Sequence, residues 1–564
     1  MKLRSFFITL TAVVLLLLSI AGGSLYWVLA QSPLNLVKGG VRAEPAAAIF
    51  VPRQAPLMAS ILVNPDRLQA FQQLASPVGR RRRSRAELNQ LKKSLLANTG
   101  LNYQKDIQPW LGDEITLAVT SLDFDRDPET GVQPGYLLAL TTKDPELARE
   151  FLQISFSEQA IAGSSDLVFE QYKGVNLIYK RPLEPGEDST NLATSAVVGD
   201  FVLFANHPKV LRDAINNVEV PDLNLKNAPA YRDALKTILE PRIGVAYLNL
   251  PAVSAWIANA PAPETPEVKQ AIAVVLSLQP QGLAAQTALI GVAGEENQAP
   301  ALSAPVGALQ YIPAPSALAA AGTKLNQFWR QIATGLEPDS PLQQLLSQAL
   351  NRIQEPLGID LPQDIFSWVQ GEYALALVPR PERQQPDWVF VAEKVPGANL
   401  EPAIEHLDKL AKQQGLSVGD VPLLNTEVTA WTQLLTASRD KAGKKETAVR
   451  LDAQVKGVHT SIGNYEIFAT SLEALDRAIA GADTSLLGSE AFKLSTAPLP
   501  RENDGYFYID WKESQPIFEQ QFPLVRVVEL AGKPLFDHLR SLALASQGSE
   551  NGVRRATVFF KLEE

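Results

Sequence analysis

From about residue 106 onward, apolar and polar residues alternate over short runs set off by glycine turns, the period-two pattern of half-buried strands. On that pattern strands are expected at 114–120, 136–141, 167–171, 175–179, 193–198, 201–205 and 244–250. Runs joined by a two-residue turn such as Gly199-Asp200 pair antiparallel, because glycine reaches positive φ at little steric cost. A period near 3.6 predicts helices at 88–96 and from Asp144 to about residue 159, the second with Asp144 as N-cap and Pro145 at its first helical position. Short-turn strands with interspersed amphipathic helices place the fold in the α+β class, each unit a curved, mainly antiparallel sheet with helices on one face.

The pattern occurs twice. Residues 106–119 align with 364–377 with six identities in fourteen positions, where chance gives about one. The match runs through Asp106-Ile107-Gln108-Pro109-Trp110-Leu111-Gly112-Asp113-Glu114 and Asp364-Ile365-Phe366-Ser367-Trp368-Val369-Gln370-Gly371-Glu372. A second block matches Val198–Ala205 with Ile462–Ala469 and reads as a hairpin entering a helix. Asn206 and Thr470 hold the same register as expected N-caps, and Thr470-Ser471-Leu472-Glu473 reads as a capping box. A third block pairs Gly282 with Gly552 and Thr287 with Thr557 in a shared Gly-x4-Thr spacing. These blocks predict two tandem homologous copies, at 55–295 and 305–564, joined by a linker at 296–304 and preceded by a linker at 31–54. Residues 183–188 in copy one and 438–446 in copy two are expected as exposed loops.

Ahead of the repeat lies an apolar run of 25 residues from Phe6 to Ala30, preceded by Lys2 and Arg4. As a helix it would reach roughly 37 Å, enough to cross a hydrocarbon layer of about 30 Å. Residues 1–30 are therefore expected as a single-pass anchor or uncleaved signal, with the N-terminus cytoplasmic and the bulk in a periplasm or thylakoid lumen. Val28-Leu29-Ala30 also fits a cleaved signal peptide, and both readings export the remainder. The 564 residues contain no cysteine, which excludes disulfides, thiol catalysis and Cys-ligated metals. A net charge of −10 argues against nucleic acid as a general partner.

Several clusters carry candidate chemistry. The run Arg80, Arg81, Arg82, Arg83 and Arg85 is either a solvated loop or a contact for anionic lipid or an acidic protein. Asp123, Asp125, Asp127 and Glu129 resemble the alternating carboxylates of a calcium loop, but Pro128 stands where the loop needs glycine and Pro134 where it needs glutamate. An acidic surface hairpin or a weak divalent-ion site remains. Trp110 and Trp368, each followed by a glutamate, are expected as core anchors rather than a ligand platform. The four histidines, His207, His406, His459 and His538, form no local metal-binding spacing, and the chain has no nucleophile elbow or phosphate loop. No catalytic, cofactor or metal residue is assigned.

The apolar anchor, the Pro109–Glu114 corner, Pro134-Gly135-Tyr136-Leu137-Leu138 and Gly199-Asp200-Phe201-Val202-Leu203-Phe204-Ala205-Asn206-His207-Pro208 together resemble a family of cyanobacterial membrane-anchored proteins catalogued as a domain of unknown function. The resemblance covers most of the exported chain. It implies an envelope or thylakoid location and brings no activity. The expected role is a non-enzymatic scaffold or assembly protein binding another envelope or thylakoid component. A carrier of lipid or another apolar ligand in a sheet concavity is the alternative, and a hydrolase assembled from distant residues the third.

Overall fold

The computed structural model describes most of residues 40–562, outside the segments 65–102, 128–131, 162–164, 183–191, 259–267, 292–301, 336–342, 381–385, 439–448 and 522–535 and some shorter stretches. The expected anchor, the arginine run, the helix at 88–96 and the tips of both charged loops lie outside the described residues. So does most of the 296–304 linker. Part of the 31–54 linker does not behave as one, since Ala47, Ala48, Phe50 and Val51 are buried in the core.

The fold is α+β, built on a large antiparallel open sheet. The first ten strands are β1 (Leu57–Ile61), β2 (Leu111–Ser121), β3 (Gly135–Thr142), β4 (Ser165–Tyr172), β5 (Val175–Pro182), β6 (Thr194–Val198), β7 (Phe201–Ala205), β8 (Gly244–Asn249), β9 (Ala271–Gln279) and β10 (Gly282–Ile290). The next ten are β11 (Leu318–Thr323), β12 (Glu372–Val378), β13 (Asp387–Glu393), β14 (Ser417–Leu423), β15 (Thr426–Ser438), β16 (Val449–Ile462), β17 (Tyr465–Ala469), β18 (Gly505–Asp510), β19 (Leu539–Glu550) and β20 (Val553–Leu562).

Pairing runs β4-β5-β6-β7-β3-β2-β1-β8-β9-β10 in the first half. In the second it runs β14-β15-β16-β17-β13-β12-β11-β18-β19-β20, the same order. Register recurs with order. Leu57 faces Leu248 as Leu318 faces Ile509, and Leu137 faces Ala205 as Val389 faces Ala469. The halves join where β10 lies antiparallel to β20, from Gly282 opposite Lys561 to Ile290 opposite Val553.

The third sequence block is displaced by one residue. Gln279 faces Gly282 across one hairpin and Glu550 faces Val553 across the other, so Gly282 corresponds to Val553 rather than to Gly552. Gly552 is the turn residue, at φ 75°. Gly282 is in the strand, where a Cβ would run into the carbonyl oxygen of Phe560 across the seam.

The helices bounded among the described residues are α1 (Pro145–Ile161), α2 (Pro208–Glu219), α3 (Pro229–Lys236), α4 (Leu250–Ala258), α5 (Leu325–Gly335), α6 (Leu400–Gln413), α7 (Leu472–Ile479), α8 (Glu490–Thr496) and α9 (Trp511–Gln521). They cover both faces, which corrects the expectation of one. On β3, Leu137 and Ala139 pack in the core containing Val210 and Leu211 of α2, while Leu138 and Leu140 pack with Trp110 and Leu152 of α1. Alternate side chains of a strand point to opposite faces, so a sheet apolar on both needs helices on both. The second half repeats this: Val389 and Val391 join Leu475 of α7, and Phe390 and Ala392 join Leu400 of α6. A further core crosses the seam, where Leu283 and Ala285 of β10 pack with Val558 and Phe560 of β20, Trp511 and Phe536.

The caps shift by one position. His207, not Asn206, caps α2 through Nδ1, which accepts the Lys209 N–H at 3.2 Å, and Ser471, not Thr470, caps α7 by accepting the Ala474 N–H at 3.1 Å. Asn206 and Thr470 still share a task. Each accepts the N–H of the residue facing it across the sheet, Tyr136 at 2.8 Å and Trp388 at 3.0 Å.

Candidate functional site

The duplicated Trp-to-Glu corner is occupied by its own structure. The buried Trp110 indole donates to the Asp106 carbonyl at 2.6 Å, and that of Trp368 to Asp364 at 2.7 Å. Glu114 accepts the N–H groups of Ala46 and Ala47 at 2.8 and 3.0 Å and the Thr116 hydroxyl at 2.8 Å. These amides open the 3-10 turn Ala46–Ile49, whose first N–H groups have no partner within the turn, so the carboxylate serves as its cap. Glu372 does the same for the turn Gly307–Tyr311, accepting Ala308 N–H at 3.1 Å and the Tyr465 hydroxyl at 2.8 Å. Both corners are therefore frame, with ring donors and carboxylates already committed.

In the acidic loop, Asp123 Oδ1 accepts the N–H groups of Arg126 and Gln133, each at 3.4 Å, and Asp125 Oδ1 accepts that of Asp127 at 3.2 Å. These bonds shape a turn with Arg126 at φ 57°. Glu129 lies outside the described residues, and no group of three acidic or histidine side chains able to hold a metal occurs among those described.

His207 stacks on Phe124 with ring centroids 4.4 Å apart. Burial first, then the nearby Arg212 charge, hold its imidazole below the ordinary range. His406 on α6 stands 3.0 Å from Asp364. His459 on β16 is the centre of a buried polar cluster, and it is only 6 % exposed. Its Nδ1 is 3.0 Å from Oε1 of Glu466, itself 2 % exposed, and its Nε2 is 3.4 Å from Asp408 Oδ1, out of line for a hydrogen bond. The Ser461 hydroxyl donates to the other Glu466 oxygen, and the Trp431 indole donates to Asp408 Oδ1 at 2.7 Å.

Serine, histidine and two carboxylates thus meet from β16, β17 and α6: the β16–β17 hairpin brings His459, Ser461 and Glu466 together, and Asp408 arrives from a helix distant in sequence. The connectivity is not that of a serine–histidine–carboxylate triad. The serine proton goes to Glu466 and both imidazole nitrogens face carboxylates, so no ring nitrogen is placed to take a proton from Ser461. Aromatic rings close the site: Phe468 stacks on His459 at 5.4 Å and Trp431 lies 5.7 Å away. The cluster belongs to the second half alone. Where His459 faces Phe468 and Ser461 faces Glu466, the first half has Ser195 facing Phe204 and Val197 facing Val202. The sequence held this signal, since Glu466 stands against Val202 inside the second aligned block.

A second buried ion pair joins Arg380 to Asp387, which also accepts the hydroxyls of Thr470 at 2.7 Å and Ser471 at 2.9 Å. It locks the start of α7 to β13.

Fold and cluster together define an α+β protein with a wide antiparallel sheet and a buried polar cluster in its second half. The chain belongs to the family described as "Protein of unknown function (DUF3352)", whose model matches residues 10–562. No curated protein matches it. Among solved structures, crystal form I of TP0453 is similar at 12 % identity, over 44 % of this chain and 79 % of that one, with a TM-score of 0.23. Among the described residues no helix is long and apolar enough to cross a membrane, and the segment from Phe6 to Ala30 lies outside them.

Proposed function

We propose that this chain is a non-enzymatic scaffold, held at a membrane by the segment from Phe6 to Ala30 with its bulk outside the cytoplasm, and made of two tandem homologous copies. The recurrence of strand order and pairing register on either side of the seam supports the duplication. Antiparallel neighbours that correspond to one another are related by a two-fold axis normal to the sheet, and here that axis falls on the central pair, Gln286 opposite Thr557.

The observation that carries the scaffold reading is continuity of the sheet through that seam. Twenty strands at about 4.8 Å spacing would span roughly 90 Å if laid flat, one surface rather than two loosely tethered beads. Apolar side chains stand exposed on its outer wings: Phe169 on β4 is 63 % exposed, and Leu434 and Leu435 on β15 are 55 % and 43 % exposed. Exposed apolar groups on strands far from the shared core favour contact with other molecules. Tethering raises the effective concentration of nearby membrane partners, so modest affinity suffices.

The test is photo-crosslinking from position 434 in the native membrane. The scaffold reading expects a reproducible cross-linked partner, reduced several-fold by Ala453→Asp, the exposed position facing Leu434 across β15 and β16, with the fold intact. Cross-links that scatter without a reproducible partner contradict it.

A further inference from the structure

We propose that His459 is a pH-sensitive latch that fastens helix α6 over the aromatic cluster of the second half, closed when the imidazole carries its proton and open when it does not. The proposal stands whether or not the chain is a scaffold.

Helix α6 meets the sheet through Leu400, Ala403 and Ile404, which pack on Trp368, Phe390 and Phe468. Those three rings lie 6.2–6.4 Å from one another. One turn further along, between the buried Leu407 and Ala411, Asp408 reaches the Trp431 indole and the His459 ring. His459 therefore lies between a carboxylate of the sheet, Glu466, and a carboxylate of the helix, Asp408. As an imidazolium it binds one to the other. As a neutral ring it leaves a carboxylate on either side with no cation between them, which removes the attraction that holds the helix to the strand.

The groups facing the imidazole come from four places. They are Glu466 and Phe468 from β17, Asp408 from α6, Ser461 on its own strand, and Thr429 and Trp431 from β15. Thr429 donates in turn to Asp420 on β14 at 3.0 Å, and α6 carries His406 facing Asp364. The charged members nearest the ring are thus acidic. Burial by itself depresses the imidazole, but the Glu466 hydrogen bond and the charges of Glu466 and Asp408 outweigh it and raise the ring above its ordinary value. With the folded value raised, the tie is complete below about pH 6.5, the unfolded imidazole value, and is lost as pH rises through the folded one. The first half supplies an internal control, because Ser195 and Val202 replace the histidine and glutamate there.

Hydrogen–deuterium exchange of the full chain in detergent at pH 6 and pH 9, expressed as protection factors so that the chemical pH dependence of exchange cancels, reads the latch. Protection over 400–413 should fall several-fold, while that over 145–161 stays unchanged. His459→Gln should abolish the pH dependence at 400–413. Should that variant not fold, Glu466→Gln should move the fall to lower pH, since it removes the carboxylate that most raises the ring. Protection over 400–413 that stays constant from pH 6 to pH 9, that falls equally over 145–161, or that keeps its wild-type pH dependence in either variant would overturn the proposal.

Discussion

At the residue scale, the polar groups of the two Trp-to-Glu corners are held by their neighbours, and what they hold together is visible from their partners. Trp110 is buried with its indole N–H bonded to Asp106, so its truncation removes packing and leaves that carbonyl short of a donor. Trp110→Ala should cost about 3–5 kcal/mol, read as a lower denaturant midpoint at unchanged slope. An unchanged midpoint would make the ring a surface for something else. His207 behaves oppositely to His459. Its folded value is held low by burial and by Arg212, so the stability it contributes is present above the ordinary imidazole value and lost as pH falls toward the folded one. His207→Asn keeps a capping side chain and removes that titration, so the drop in melting temperature from pH 7 to pH 5 should shrink in the variant. The packing role of both tryptophans was legible in the sequence, because each stood at the same place in a repeated corner. The His459 cluster was legible only in part: Glu466 standing against Val202 in the aligned hairpins marks it, but nothing in the sequence brings Asp408 of α6 to the ring.

At the element scale, strands were the most readable feature, and their alternation located β7 at its observed bounds and β3 within a residue. Helix starts were less so. Asn206 and Thr470 are good capping residues, yet each lies where the chain still borders the sheet, and the neighbouring strand's N–H takes its side-chain oxygen first. The cap passes to the next residue. Ser471 thereby does two things, accepting the Ala474 N–H and donating to the buried Asp387. Ser471→Ala should lower stability by about 1–2 kcal/mol, toward the upper end for a cap because Asp387 also loses a donor. A thermal melt beside the matching Thr484→Ala control, which removes only an exposed hydroxyl bond to Gly481, separates the two effects. The expectation of helices on one face failed for a related reason. Strands such as β3 are apolar on both sides, a pattern that requires two covered faces.

At the scale of the whole molecule, the repeat in the sequence and the recurring pairing register tell one story, and the seam adds what neither could. Nothing in the aligned blocks says that the two halves share a sheet, because β10 and β20 meet through backbone hydrogen bonds that carry little sequence signature. The closest trace is Gly282, the strand glycine whose missing side chain lets the Phe560 carbonyl approach. The seam joins the two halves in one sheet, and a core of Leu283, Trp511, Phe536 and Phe560 packs across it. Rigidity of that join is the claim on which the scaffold reading depends. The chain lacks cysteine, so Asp200→Cys and Asn464→Cys, on the corresponding exposed turns of the two halves, place two spin labels at defined sites. Pulsed electron-electron resonance on that double variant should give one narrow distance distribution, unchanged between detergent and lipid nanodiscs. A broad or two-peaked distribution would mean that the halves move independently, and would contradict the account.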